Sequence, residues 1–77
     1  MTYLIQKNRG VYEPLRAINV GLISTIRQTN SGTFIYNFSD GTDLELQLSI
    51  REYLSCFTDK KKVVIKGSYE YCVVSTF

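Results

Sequence analysis

The chain has 77 residues, of which 44% are hydrophobic and 21% charged, with a formal net charge of +2. This length and composition indicate one folded domain, residues 1–77, with a small core, and they are not typical of a disordered segment. No apolar run approaches the ~18 residues that span a bilayer, and the first residues lack the basic and apolar segments of a secretion signal. We therefore expect a cytoplasmic protein with no membrane partner.

The first third of the chain predicts two strands joined by an irregular crossing. Residues 3–7 have the pattern of a short strand, which ends in the loop Asn8-Arg9-Gly10. Pro14 lacks an amide donor, so residues 11–13 are predicted to be an edge strand or an irregular crossing. Residues 18–28 are predicted to be a long strand that bends at Gly21. Three apolar residues of this strand are expected to share the core side of the sheet: Val20, Leu22 and Ile26.

The central hairpin is the clearest prediction. Apolar and polar residues alternate in 34–38 and 43–48, which is typical of antiparallel strands with one buried face. A two-residue turn would place Phe38 opposite Asp43, so we predict the three-residue loop 39–41, with Gly41 in the left-handed conformation. That register pairs Phe38 with Thr42, Tyr36 with Leu44, and Phe34 with Leu46.

A helix over about 49–57 is predicted after this hairpin. Ser49 is a favourable N-cap, and Glu52 stands three residues later, which together make a capping box. Four apolar residues at helical spacing form the stripe expected to pack on the sheet: Ile50, Tyr53, Leu54 and Phe57. Cys56 lies beside this stripe and is expected to be peripheral.

The C-terminal residues predict a second hairpin, with a two-residue turn at Gly67-Ser68 that places Lys66 opposite Tyr69. The face expected to join the core carries Val63, Ile65, Cys72 and Val74. The opposite face carries Lys62, Val64, Lys66, Tyr69, Tyr71 and Val73. Because this second face is amphipathic, we predict a partner-binding site on it, formed by Lys62, Lys66, Tyr69 and Tyr71.

From residue 18 the order of elements is long strand, strand, strand, helix, strand, strand. This order resembles that of an OB-fold barrel, in which a helix plugs the barrel between the third and fourth strands. The predicted fold class is α+β: a small curved antiparallel β-sheet or partly closed barrel of five to six strands, with the helix at about 49–57 packed on it.

The residues favour no catalytic, cofactor or metal site. The chain contains no histidine, the commonest general base, and its two cysteines have no metal-ligand spacing. Cys56 and Cys72 are expected to be reduced thiols. Asp43 and Glu45 are interpreted as residues on the solvent-exposed side of a strand. The run 60–62, three lysines, is interpreted as a solvated turn after the helix. We therefore expect a protein that is not an enzyme.

Two classes of function remain. The first is a protein-interaction module, with another protein or a second copy as partner; a phage- or mobile-element-encoded inhibitor is one form that such a module takes. Six tyrosines in so short a chain favour this class, since tyrosine is enriched at interfaces. The second is a single-stranded nucleic-acid binder, in which Tyr69 and Tyr71 would stack on bases while Lys62 and Lys66 follow the phosphates.

Overall fold

The computed structural model describes residues 1–59 and 62–76. Their elements, in chain order, are β1 (Thr2–Asn8), β2 (Arg16–Asn19), a 3-10 helix (Val20–Leu22), β3 (Ile23–Gln28), β4 (Phe34–Phe38), β5 (Asp43–Leu46), α1 (Ile50–Thr58), β6 (Val64–Lys66) and β7 (Tyr69–Ser75). The interpretation of the lysine run as a solvated turn falls mainly on residues 60 and 61, which lie outside the described residues. In the described part of the chain, no helix has the length and apolar character needed to cross a membrane.

Two antiparallel sheets replace the single curved sheet that the sequence predicted. One has the order β2-β1-β7-β6 and the other β3-β4-β5. The segment predicted as one long strand joins them: its first part, β2, pairs with β1, and its second part, β3, pairs with β4. Within the described residues, β6 is an edge strand of the first sheet and β5 is an edge strand of the second, and the two do not pair with each other. No closed barrel therefore forms.

The OB-like order of elements is present, but the pairing is different. The last strand pairs with the N-terminal strand β1 along its whole length, from Thr2 opposite Ser75 to Asn8 opposite Tyr69. The predicted OB-like order began at residue 18 and assigned no partner to the strand at 3–7. With seven residue pairs between them, β1 and β7 are the two central strands of the larger sheet.

The segment between β1 and β2 is irregular, as Pro14 predicted. The bend at Gly21 is confirmed: this residue lies in the 3-10 helix, where its amide donates to Asn19 Oδ1 at 3.0 Å. Ile26 stands opposite Tyr36 as expected. The placement of Leu22 in the core was wrong, because this side chain is 45% exposed. An irregularity between Ile23 and Thr25 shifts the register here.

The central hairpin has the predicted register. Tyr36 pairs with Leu44 and Phe34 with Leu46, and the amide of Phe38 donates to the carbonyl of Thr42 at 2.8 Å. Gly41 has φ of 91°, the left-handed conformation that this loop requires. The conformation of the loop and the burial of alternate residues therefore both correspond to the same register of β4 against β5.

The helix begins as predicted, but its buried face is different. Ser49 Oγ accepts from the amide of Glu52 at 3.1 Å, and Glu52 Oε1 accepts from the amide of Ser49 at 3.0 Å, which completes the capping box. Leu54 is 57% exposed, whereas Cys56 is fully buried, so the expectation of a peripheral Cys56 was wrong. Tyr53 and Phe57 also pack on the core. The buried side of the helix is therefore rotated from the predicted stripe toward Cys56.

The core lies between the inner faces of the two sheets. Its fully buried members include Leu4 of β1, Tyr36 of β4, and Leu48, which precedes the helix. The hydroxyl of Tyr36 donates to the carbonyl of Leu48 at 2.6 Å, which satisfies both groups inside the core. Tyr53 of the helix packs edge-on against Tyr36, with ring centroids 5.6 Å apart.

The C-terminal hairpin has the predicted turn, with Lys66 opposite Tyr69, but its two faces are reversed. Tyr71 is 1% exposed and Val73 is 7% exposed, whereas Ile65 is 52% exposed. Val73 stands opposite Leu4 on β1. Because residues directly opposite on neighbouring strands point to the same side of a sheet, the buried Leu4 fixes the side of Val73 and hence of the whole strand.

Candidate functional site

The four residues of the predicted partner-binding site do not form one exposed surface. Lys62 is exposed, and Lys66 makes an ion pair with Glu52 at 3.3 Å. Tyr69 is half-buried and Tyr71 belongs to the core. The structure places Lys66 directly opposite Tyr69, and both tyrosines lie on the inner side of the sheet.

Both tyrosines line a pocket of about 300 Å³ between β5 and the inner face of the four-stranded sheet. We call it the Gln6 pocket, after its most buried polar residue. Its lining residues are Gln6, Leu15, Arg16, Thr33, Leu44, Glu45, Leu46, Gln47, Tyr69 and Tyr71. This volume is at the lower end of the range of ligand pockets, roughly 300–1,000 Å³.

One wall of the Gln6 pocket is the free edge of β5. Residues 44–47 line it consecutively, although successive side chains of a strand point to opposite faces. A space that met only one face of the strand would touch every second residue. The pocket therefore borders the edge itself, the side on which β5 has no neighbouring strand.

The inner wall holds two polar groups. The Gln6 side chain is 4% exposed, and its Nε2 donates to the hydroxyl of Tyr71 at 2.9 Å. Gln6 Oε1 is buried and has no hydrogen-bond partner among the described residues. In either orientation of the amide group, one of its two polar atoms lacks a partner. Burial raises the pKa of Tyr71, so the hydroxyl keeps its proton at neutral pH.

Opposite charges lie among the lining residues. Arg16 stands opposite Gln6 on the neighbouring strand and makes no salt bridge to any described residue. On the other side, the carboxylate of Glu45 accepts a hydrogen bond from the hydroxyl of Thr33. Three leucines supply the apolar part of the lining: Leu15, Leu44 and Leu46. The pocket thus combines apolar surface with one positive and one negative group.

A second feature is the outer face of the four-stranded sheet, opposite the core. Its residues alternate with the buried ones along each strand, and Ile65 and Val74 among them are exposed. They are Tyr3, Ile5, Lys7, Ala17, Asn19, Ile65, Glu70, Cys72 and Val74, and we call this set the apolar outer face. Ile5 is at its centre, directly opposite both Ala17 and Cys72.

The outer face of the three-stranded sheet is polar by comparison. Its central strand presents Ile35 and Asn37, and Asn37 donates to Thr25 Oγ1 at 2.9 Å. Its edge strand presents Asp43 and Glu45, both exposed. Only one of the two outer faces therefore carries a continuous apolar area.

Sequence reasoning missed both features for the same reason. The short strand at 3–7 has apolar residues on both sides, so its pattern did not show which side is buried. Gln6 alternates with Leu4, and this spacing is the only sequence signal that could have placed a glutamine in the core.

The two cysteines are free thiols: Cys56 belongs to the core, and Cys72 stands opposite Ile5. Burial raises the pKa of Cys56, which disfavours its thiolate, whereas Cys72 is half-buried on the apolar outer face. In residues 1–59 and 62–76, no three His, Cys, Asp or Glu side chains cluster as metal ligands. Comparisons of the chain with protein-family models, with curated proteins and with solved structures each found no match.

Proposed function

We propose that this chain is a small protein-interaction module, not an enzyme, and that it docks a second copy of itself through the apolar outer face. The observation that carries the proposal is the apolar area centred on Ile5, on the side of the sheet away from the core. Within it, Ile65 is 52% exposed and Val74 is 43% exposed. A contiguous exposed apolar area on a small domain is typical of an interaction surface.

The charges of this face support a second copy as the partner. The face carries one cation and one anion, Lys7 and Glu70, whose side chains are 3.7 Å apart. A two-fold axis close to this pair would put Lys7 of each copy against Glu70 of the other. Because a two-fold interface joins the same patch on both subunits, it must be self-complementary, and this face meets that condition.

The size of the domain is compatible with such an interface. A standard interface buries about 800 Å² on each partner. This is roughly 15% of the chain's accessible surface of 5221 Å². One sheet face of a domain with extents of 30, 30 and 22 Å supplies an area of that order.

Single-stranded nucleic acid is supported less well. A binder of that kind needs exposed aromatic rings beside free cations. Here Tyr71 is buried, Lys66 is paired with Glu52, and the apolar outer face holds one lysine. Fluorescence anisotropy with mixed-sequence DNA and RNA oligonucleotides tests this alternative, and micromolar binding that weakens with salt would favour it over the interaction module.

Sedimentation velocity over a range of concentrations tests the dimer. We expect the parent to dimerise as its concentration rises and Ile5→Lys to remain monomeric, since a lysine in the apolar centre would repel its symmetry mate. Ile35→Lys is the matched control, because Ile35 is likewise a half-buried outward isoleucine in the middle of a strand, but on the other sheet. A monomeric parent, or an Ile5→Lys variant that dimerises like the parent, would contradict the proposal.

A further inference from the structure

The Gln6 pocket is lined by a buried polar group that makes no hydrogen bond to the described residues. A buried polar atom without a partner is costly, on the order of 1–3 kcal/mol, and such atoms are rare in folded proteins. Gln6 Oε1 is such an atom, and Gln6 lines the pocket. A ligand that donates a hydrogen bond to Oε1 would remove this cost.

The neighbouring hydroxyl defines the second half of the ligand. Tyr71 accepts from Gln6 Nε2, and its own O–H has no acceptor among the described residues. The inner wall thus offers one acceptor and one donor side by side. In an extended peptide the N–H and C=O of one residue point to the same side and make the complementary pair.

On the opposite wall of the pocket, the backbone of β5 also offers a hydrogen-bond donor and an acceptor. Thr42, Leu44 and Leu46 belong to the positions that bond to β4, as the 2.8 Å bond from Phe38 to Thr42 shows. Since bonded positions alternate along an antiparallel strand, the N–H and C=O of Glu45 point away from β4. They point to the free edge, which borders the pocket.

We propose that the Gln6 pocket binds a peptide in extended conformation, which adds to the free edge of β5 and presents the N–H and C=O of one residue to Gln6 and Tyr71. Addition of a strand to a sheet edge is a common mode of peptide recognition, in which main-chain hydrogen bonds supply affinity and pockets select side chains. Here the leucines of the lining accept an apolar side chain. The presence of both Arg16 and Glu45 favours a peptide without net charge.

This site is independent of the proposed dimer. Gln6 and Tyr71 point to the inner side of the four-stranded sheet, whereas Ile5 and Cys72 point to the outer side. Loss of either interaction would leave the other intact.

The test is an NMR titration of the full chain with a blocked peptide, acetyl-threonyl-leucyl-threonine methylamide. We expect saturable shifts of the backbone amides of Glu45 and Gln47 and of the Gln6 side-chain NH₂. The same peptide with N-methylated amides cannot donate backbone hydrogen bonds and should not bind. Absence of saturable shifts at millimolar peptide, equal shifts from the N-methylated peptide, or shifts confined to other surfaces would overturn the proposal.

Two variants locate the binding at the amide. Gln6→Leu should weaken binding about tenfold, since it removes the acceptor while keeping the volume. Gln28→Leu, an exposed glutamine on β3, is the control and should bind like the parent. Tyr71→Phe, which removes the donor, should weaken binding to a similar extent. Parent-like affinity in folded Gln6→Leu and Tyr71→Phe would show that the pocket does not recognise an amide.

Discussion

Gln6 and Tyr71 stand opposite each other on neighbouring strands and share a hydrogen bond of 2.9 Å inside the core. Each is the other's only side-chain partner in the described chain, and each keeps one hydrogen-bonding function unused. The hydrogen bond between Gln6 and Tyr71 connects β1 to β7, and the same two side chains form the polar wall of the Gln6 pocket.

The pair should show strong coupling in stability. Tyr71→Phe leaves both polar atoms of the Gln6 amide without partners, and we expect a loss of about 1–3 kcal/mol in the free energy of unfolding. The double variant Gln6→Leu/Tyr71→Phe removes all of these polar groups and should cost less than the sum of the two single changes. Urea denaturation of the three variants measures this, and additive losses would contradict the coupling.

The helix N-cap gives a second prediction. Ser49→Ala removes the acceptor for the amide of Glu52 and should lower stability by about 1 kcal/mol. Ser55→Ala is the control, because Ser55 bonds to the helix carbonyl of Glu52, a contact that adds little to helix stability. Denaturant midpoints compare the two. An unchanged midpoint for Ser49→Ala would mean that the cap does not stabilise the helix.

The loop of the central hairpin gives a third prediction. Gly41 has φ of 91°, and a Cβ added there would meet no atom within 4 Å, so the cost of a substitution comes from the backbone alone. Gly41→Val should destabilise by more than about 1 kcal/mol, whereas Gly41→Asn should be milder, since asparagine tolerates this conformation. Thermal melting distinguishes them. Equal melting temperatures for the two variants would argue against the left-handed loop.

Acid should weaken the helix through Glu52. Burial raises the pKa of this carboxyl, but its bonds to Ser49 and Lys66 outweigh burial, so the folded-state pKa lies below the reference value of 4.5. The carboxylate therefore stabilises the fold above about pH 4.5, and this contribution is lost as the pH falls through the lowered value.

Glu52→Gln tests this contribution. It should be less stable than the parent at pH 7 and lose less stability on acidification, as measured by denaturation at several pH values. Glu13→Gln, in the exposed segment between β1 and β2, serves as the control. A parent-like pH profile for Glu52→Gln would contradict the role of this carboxylate.

Local chemistry was predictable from the sequence because it depends on few residues. The capping box of Ser49 and Glu52 needs two side chains at fixed spacing, and the loop at 39–41 needs a glycine and two strands of clear alternation. The turn at Gly67-Ser68 likewise fixed the pairing of Lys66 with Tyr69. These elements form in the same way whatever packs on them.

The facing of the last hairpin was not predictable in this way. Both of its sides are apolar enough to be buried: one side carries Ile65 and Val74, and the other carries Val64 and Val73. The choice is made by a distant strand, β1, whose buried Leu4 stands opposite Val73. The predicted site at Lys66 and Tyr71 depended on that choice, and the pocket and the apolar outer face exist only once the two sheets are assembled.

The most direct test of the proposed interaction is a measurement of contacts between copies. In a sample that mixes isotope-labelled and unlabelled chains, filtered nuclear Overhauser spectra detect only protons of different molecules. We expect intermolecular contacts from the methyl groups of Ile5, Ile65 and Val74. Contacts only from Ile35 on the other sheet, or none at millimolar protein, would contradict the claim that the apolar outer face docks a second copy.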